Sequence, residues 1–354
     1  MKFLSVLAIF GSMAAAVSID LNQRATPLSV NIEVVDNSNV KATITNTGKT
    51  ALKVLKPGSI LDSTAVEKSV VFSDAGKIAF DGIRLRVATS NLAEEAFQVI
   101  QAGETISTSW DVAEVHDLSA GGAFDISAVG ALSYAEADSN SITGSVPYTS
   151  NIVTASVDGA AAAKIRRAFR ESIEKRTIVQ SDCTGTRLTA TRNAISNCRA
   201  LAAAASSAAV SGSAAKMTEY FKSSSSSTRS TVAAVFGRVA TECGSTTSGV
   251  SRQYCTDVYP ACSSGVLAYT LPSQSYMVNC PLYFSNLPAL TSTCHAQDQA
   301  TTTLHEVTHL SQIKGTTDQS GCYGYSCVQS LTAAQNLNHA DTYSLFANAI
   351  KVGC

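Results

Sequence analysis

All ten cysteines of this 354-residue chain lie in its second half, at Cys183, Cys198, Cys243, Cys255, Cys262, Cys280, Cys294, Cys322, Cys327 and Cys354. An even number confined to one segment, with no Cys-x-x-Cys pair to suggest a structural zinc knot, reads as about five disulfides closing a compact carboxy-terminal domain. The half without cysteine must fold by burial and backbone pairing alone. Disulfides need an oxidising compartment, and the amino terminus agrees with one. Lys2 precedes an apolar run from Phe3 to about Val17, and Ala14, Ala15 and Ala16 offer a cleavage site, so residues 1–18 read as a signal peptide. That run is too short to span a bilayer, and no other stretch reaches about 18 apolar residues. The expectation is a secreted, extracellular, soluble protein with no membrane partner, and a formal net charge of -1 gives no reason to invoke nucleic acid.

From about residue 28 to 155, apolar and polar positions alternate in short runs such as Ser29-Val30-Asn31-Ile32-Glu33-Val34, separated by Asn, Gly, Pro and Asp clusters. That pattern predicts a mainly-β domain, a β-sandwich. A basic helix follows from Gly159 and ends in Lys175-Arg176, immediately before the cysteine-rich half. A dibasic pair at such a junction is where a processing protease of the secretory pathway would cut, although Arg166-Arg167 stands close by. The expected organisation is a signal peptide over 1–18, a propeptide over 19–176 and a mature, disulfide-stapled domain over 177–354.

Within that last segment the pattern predicts helices over 191–210 and 228–242, separated by a flexible serine run at 223–227. Strands are expected over 266–270 and 276–284 around the turn Pro272-Ser273-Gln274-Ser275, then a helix over 298–313 stopping near Gly315, and helices over 327–336 and 341–351. The order gives an α+β domain, mostly helical with a small sheet.

The middle helix carries His305-Glu306-Val307-Thr308-His309. Residues four apart share a helix face, so both imidazoles can chelate one ion, and Glu306 can reach a water on it. Three protein ligands and an open position make a catalytic zinc site, so a third ligand must lie elsewhere. No glutamate follows Glu306, and the extension His-x-x-Gly-x-x-His fails because Gln312 and Gly315 stand at its glycine and histidine positions. Asp318, Asp341 and His339 remain downstream, the cysteines being committed to disulfides. Asp318 is preferred, because Gly315 can end the helix and turn the chain back toward the ion. Asp341 reads equally as the N-cap of the last helix or as a residue beside the metal, and His339 as a loop histidine.

His305-Glu306-x-x-His309 followed by Gly315-Thr316-x-Asp318 and Tyr323-Gly324 resembles the aspzincin signature of the deuterolysin family, the secreted fungal neutral protease II type of zinc metalloendopeptidase. The likeness extends to the whole precursor plan and implies a zincin-like domain in which His305, His309 and Asp318 hold one Zn2+ per chain and Glu306 is the general base. Four residues, Gln319 to Cys322, separate Asp318 from Tyr323 here, about two more than the family pattern has. Tyr323, Tyr325 and Tyr283 are therefore all candidates for the oxyanion donor, with Asp341 a supporting residue. The expected activity is hydrolysis of internal peptide bonds by a zinc-activated water, on protein and peptide substrates including basic proteins, by a monomer made as a zymogen. Its own propeptide would serve as intramolecular chaperone or inhibitor. Lacking cysteine, it would act through a carboxylate, His116 or steric cover. A secreted disulfide-rich binding or effector protein with a structural or vestigial metal site is the alternative. Of the many possible pairings we expect Cys183 with Cys255, Cys262 with Cys280 and Cys294 with Cys354. Cys322 and Cys327 either close a small loop together or take distant partners.

Overall fold

The structure is a computed structural model and describes residues 26–171 and 179–354. The expected signal peptide and the Lys175-Arg176 pair fall outside the described residues.

The first half runs β1 (Leu28–Asp36), β2 (Asn39–Asn46), β3 (Leu52–Leu55), β4 (Val70–Ser73), β5 (Gly76–Lys77), β6 (Arg84–Val87), β7 (Phe97–Ile100) and β8 (Thr105–Asp111). It continues through the one-turn α1 (Val112–Val115), β9 (Gly122–Ser127), β10 (Val129–Ala135), β11 (Ile142–Thr149), β12 (Val153–Val157) and α2 (Gly159–Glu171). Period-two patterning does its expected work: Leu28, Val30 and Ile32 of β1 face inward, Val30 lying opposite Ile44 and Ile32 opposite Ala42 of β2, where Val40, Ala42 and Ile44 are also buried. Where the alternation predicts a sandwich, eleven strands among the described residues form three sheets, ordered β1-β2-β8, β11-β10-β3-β7 and β12-β9-β4-β5. They close on one apolar core that includes Val40, Ile44, Val54, Val71, Ile126 and Leu132. The twelfth, β6, leaves this arrangement altogether.

The second half contains α3 (Gly185–Ser211), α4 (Ala214–Phe221), α5 (Ser226–Glu242), β13 (Arg252–Tyr254), β14 (Val266–Leu271) and β15 (Tyr276–Asn279). It ends with α6 (Pro281–Asn286), α7 (Gln299–His309), α8 (Gly324–Ser330), α9 (Ala333–Asn336) and α10 (Ala340–Val352). Five points need correction, the first being the single helix expected over 327–336, which Leu331 breaks by turning extended and Thr332 restarts as an N-cap, giving α8 and α9. The serine run is not wholly a linker, since Ser226 and Ser227 belong to α5 and Ser225 caps it through its side chain. An unforeseen helix, α4, buries Met217, Tyr220 and Phe221. The second strand stops at Asn279, because Pro281 has no amide hydrogen to donate to a ladder and is suited to the first turn of α6. The metal-motif helix ends at His309 rather than 313, where Leu310 turns extended and Gly315 at φ 66° reverses the chain.

The five disulfides are Cys183–Cys255, Cys198–Cys243, Cys262–Cys280, Cys294–Cys354 and the local Cys322–Cys327. A helical core of Leu201, Phe221, Phe236, Leu304, Val307, Tyr343 and Phe346 joins α3, α4, α5, α7 and α10. The small sheet runs β13-β15-β14-β6, so its outer strand comes from the first half of the chain.

Candidate functional site

Helix α7 starts on a capping box in which the Asp298 carboxylate accepts from the Thr301 amide and the Thr301 hydroxyl bonds back to the Asp298 backbone. Every residue of α7 is buried, although the segment reads Gln-Ala-Thr-Thr-Thr-Leu-His-Glu-Val-Thr-His. Ala300, Leu304 and Val307 face the helical core, while the polar face lies beneath β14. Buried polar side chains of this kind need partners, and the partners define the site.

Three of the residues singled out by the sequence converge. His305 Nε2 lies 3.1 Å from His309 Nε2, and Asp318 Oδ1 lies 3.2 Å from the first and 3.4 Å from the second. Ligands at about 2.0–2.1 Å around a tetrahedral ion stand about 3.3–3.4 Å apart, so the donor set fits zinc. The outer nitrogens agree. His309 Nδ1 lies 2.9 Å from the Thr316 carbonyl and His305 Nδ1 lies 2.9 Å from Asp341 Oδ1. Each acceptor calls for a hydrogen on Nδ1, which leaves both Nε2 lone pairs aimed at one point. Without a cation those lone pairs and the Asp318 carboxylate would repel or have to share protons. Asp318 is held well below the usual carboxylate range, because the two imidazoles outweigh the opposing effect of its burial. Burial works to lower His309, yet Asp318 beside it raises it overall.

Asp318 arrives by the short loop that the sequence suggested. Gly315 turns the chain, the Thr316 amide donates to the Thr308 carbonyl at 3.1 Å, and Thr317 bridges to His339 ahead of α10. Thr316 therefore orients His309 and places Asp318 at once, a function that only the folded loop discloses.

Glu306 projects toward β14. Thr270 Oγ1 donates to its Oε2 at 2.5 Å, and its Oε1 has no partner among the described residues. Burial in this apolar setting pushes its carboxyl up to about 7. Asp341 is neither an N-cap nor one of the three converging residues. His339 occupies the cap position, whereas Asp341 sits in the first turn of α10, accepts from the Gly324 amide at 2.6 Å and stands behind His305. His339, read as a loop histidine, is fully buried with Nε2 3.0 Å from the Cys322 carbonyl, and burial lowers it to about 4.

The three tyrosines separate clearly. Tyr283 has its hydroxyl 3.2 Å from both Gln299 O and Thr303 Oγ1, and Tyr325 donates to Glu219 at 2.7 Å while stacking on His295. Tyr323 is buried near the charges of Asp318 and Glu306, and burial first, then Asp318, hold its phenol well above the usual range. Its hydroxyl lies so close to Gly58 that a Cβ there would meet it at 2.1 Å. His116 lies in the first half against Phe80. Arg86, in the cysteine-free half and unmarked by any motif, is fully buried with its guanidinium on Asp341 Oδ1 and 3.2 Å from His305 Nδ1.

Comparison with known proteins adds a family. The deuterolysin metalloprotease (M35) family model matches residues 1–354. Neutral protease 2 homologs from Colletotrichum graminicola and Phaeosphaeria nodorum are each 59% identical over 100% of both chains, and one from Aspergillus oryzae is 45% identical over the same share. Among solved structures, a zinc peptidase from Grifola frondosa is 22% identical, with 47% of this chain and 97% of that one covered at a TM-score of 0.40. A full-length family match and relatives this similar, taken with two histidines and an aspartate converging beside a glutamate, give one conclusion: the chain belongs to the deuterolysin metalloprotease family.

Proposed function

We propose that this chain is the precursor of a secreted zinc endopeptidase in which His305, His309 and Asp318 hold one ion and Glu306 is the general base. The observation that carries the reading is the pairing of a three-donor cluster at tetrahedral spacing with a neighbouring carboxylate oxygen that has no partner. A purely structural zinc would be closed by four protein ligands and would have no use for Glu306. When bound, the ion supplies Lewis-acid polarisation of a water and of the scissile carbonyl. Glu306 Oε1 accepts the water's proton while Thr270 keeps Oε2 in place, and the same carboxyl then protonates the departing amine as the C–N bond breaks. Tyr323 is the tyrosine best placed to donate to the developing oxyanion. An extended protein or peptide substrate would lie along β14, which carries Thr270 past the base and offers main-chain hydrogen bonds to many sequences. A casein assay tests the reading: activity lost with a chelator and restored by zinc supports it, and activity indifferent to chelation overturns it.

The same reading makes residues 1–18 a signal peptide, 19–176 a propeptide and 177–354 a monomeric mature enzyme. Secreted product should begin at residue 177, and amino-terminal sequencing that finds residue 19 instead would refute processing at Lys175-Arg176.

Asp341 is a positioning residue in this scheme. Asp341→Asn should weaken zinc binding by about 10- to 100-fold, since a carboxylate behind a ligating histidine fixes its tautomer and raises its basicity. Competition with a chromophoric chelator measures it, and unchanged affinity would remove Asp341 from the site.

A further inference from the structure

The proposed centre is closed to solvent: His305 and His309 are 0% exposed, Glu306 1% and Asp318 4%. A peptidase must admit a polypeptide to these atoms, so whatever covers them has to leave. Part of the cover comes from the first half of the chain, through β6 and Arg86. Strand β6 pairs antiparallel with the outer edge of β14, with Arg84 opposite Thr270, Leu85 opposite Tyr269 and Arg86 opposite Ala268. The Ala88 amide continues the pairing to the Gly265 carbonyl at 2.8 Å. Just ahead of α7, Gln297 grips the backbone of the same segment, donating to the Val87 carbonyl at 2.9 Å and accepting from the Thr89 amide at 2.9 Å.

Resting on the peptidase reading above, we propose that β6 is a resident occupant of the substrate-binding edge, a substrate-like strand that keeps the precursor silent, with Arg86 as its anchor. The main chain of residues 84–87 uses the β14 edge as an extended peptide would. Residues opposite one another on a ladder share a face, and Arg84 and Arg86 alternate onto the same side of β6. Arg84 ends on Glu67 at 2.5 Å, also stacking on Phe80, whereas Arg86 reaches Asp341 and His305. Arg86 thus competes with His305 for the carboxylate that orients it and sets a fixed positive charge behind a residue meant to bind a cation. A fully buried guanidinium is costly unless paired, so its seat on Asp341 fixes the register of the strap. The inhibitory group is therefore neither a carboxylate nor His116 but a β-strand and an arginine. Leu85 and Val87 share an apolar cluster with Tyr269, Tyr276, Val278 and Tyr323, which ties the strap to the enzyme over a wide surface.

The test uses the intact chain. Wild type, Leu85→Pro, Arg86→Gln, Arg86→Lys and Gln297→Ala are compared for zinc content, for amide exchange of β14 and α7, and for cleavage of a short quenched peptide, before and after cleavage following Arg176. Intact wild type should be slower than the cleaved chain by about 10-fold or more, since apparent affinity scales with the fraction whose edge is open. Leu85→Pro withdraws a large apolar side chain from the cluster that holds β6 down and fixes a φ unsuited to the strand, and Arg86→Gln and Gln297→Ala remove the anchor and the clamp. Each should raise cleavage by the intact chain toward the cleaved level and speed exchange on β14 with α7 still protected, while Arg86→Lys stays slow. Gln297→Ala leaves the buried charges in place and decides the matter should a strand or anchor variant fold poorly. Faster exchange on β14 with no gain in cleavage, in a chain whose cleaved form is active, overturns the proposal. A cleaved wild type inert toward peptide and casein overturns the peptidase reading instead, and β14 exchange that does not change on cleavage shows that the strap never leaves.

Discussion

Glu306→Gln should lower kcat by about 100- to 10,000-fold, the range that a positioned general base contributes, while zinc remains bound. The two predictions separate because Glu306 is not among the converging ligand atoms. Its Oε2 is held by Thr270, and its Oε1 has no partner among the described residues. Glutamine keeps the shape and can still accept the Thr270 hydrogen bond, but its amide cannot take up a proton at neutral pH. The measurement is kcat on a peptide substrate with zinc content determined on the same sample. A variant with near-normal kcat would end the general-base assignment, and one that had lost its zinc would make Glu306 a structural support for the centre.

Asp318→Ala should abolish stoichiometric zinc binding and activity together, a larger loss of affinity than the 10- to 100-fold expected for Asp341→Asn. Two histidines alone leave the ion short of a protein ligand, and they lose the only carboxylate facing both Nε2 atoms among the described residues. Because a ligand that binds only the folded state stabilises it by mass action, zinc at a thousand times its Kd contributes about 4 kcal/mol. Wild type treated with a chelator should therefore melt at a lower temperature, and Asp318→Ala should show little further decrease. Full zinc occupancy in Asp318→Ala would transfer the third ligand to another residue and reopen the role of Asp341.

Much of the site was legible because its chemistry is local in sequence. Helical spacing puts His305 and His309 on one face, and the absence of any later glutamate narrowed the third ligand to a few residues, of which Gly315 made Asp318 the nearest. Asp341 was only half legible. An aspartate at a helix start looks like a cap, and its pairing with His305 depends on how α10 packs on α7. Thr270 and Thr316 carry no motif at all. Thr270 reaches Glu306 36 residues away and Thr316 reaches His309 7 residues away, and a threonine in a strand or loop has many ordinary explanations. In the fold, alternation found the strands but could not say that they divide among three sheets, since pairing partners are chosen by long-range packing. Tyr283 and Tyr325 were candidates only while their hydroxyl partners were unknown.

By itself the sequence determined that the cysteine-rich half is a disulfide-stapled unit and that His305, Glu306 and His309 share a helix, and it narrowed the remaining donor to Asp318, Asp341 or His339, with Asp318 preferred. These are consequences of composition and short-range geometry. Tertiary structure alone decided which hydrogen bonds aim the two imidazoles, which oxygen of Glu306 is left free, and where β6 goes. Nothing in Arg84-Leu85-Arg86-Val87 distinguishes it from its neighbouring strands. A strand's partner is fixed by the edge that remains unpaired when the rest of the chain has folded, and here that edge belongs to β14, over α7.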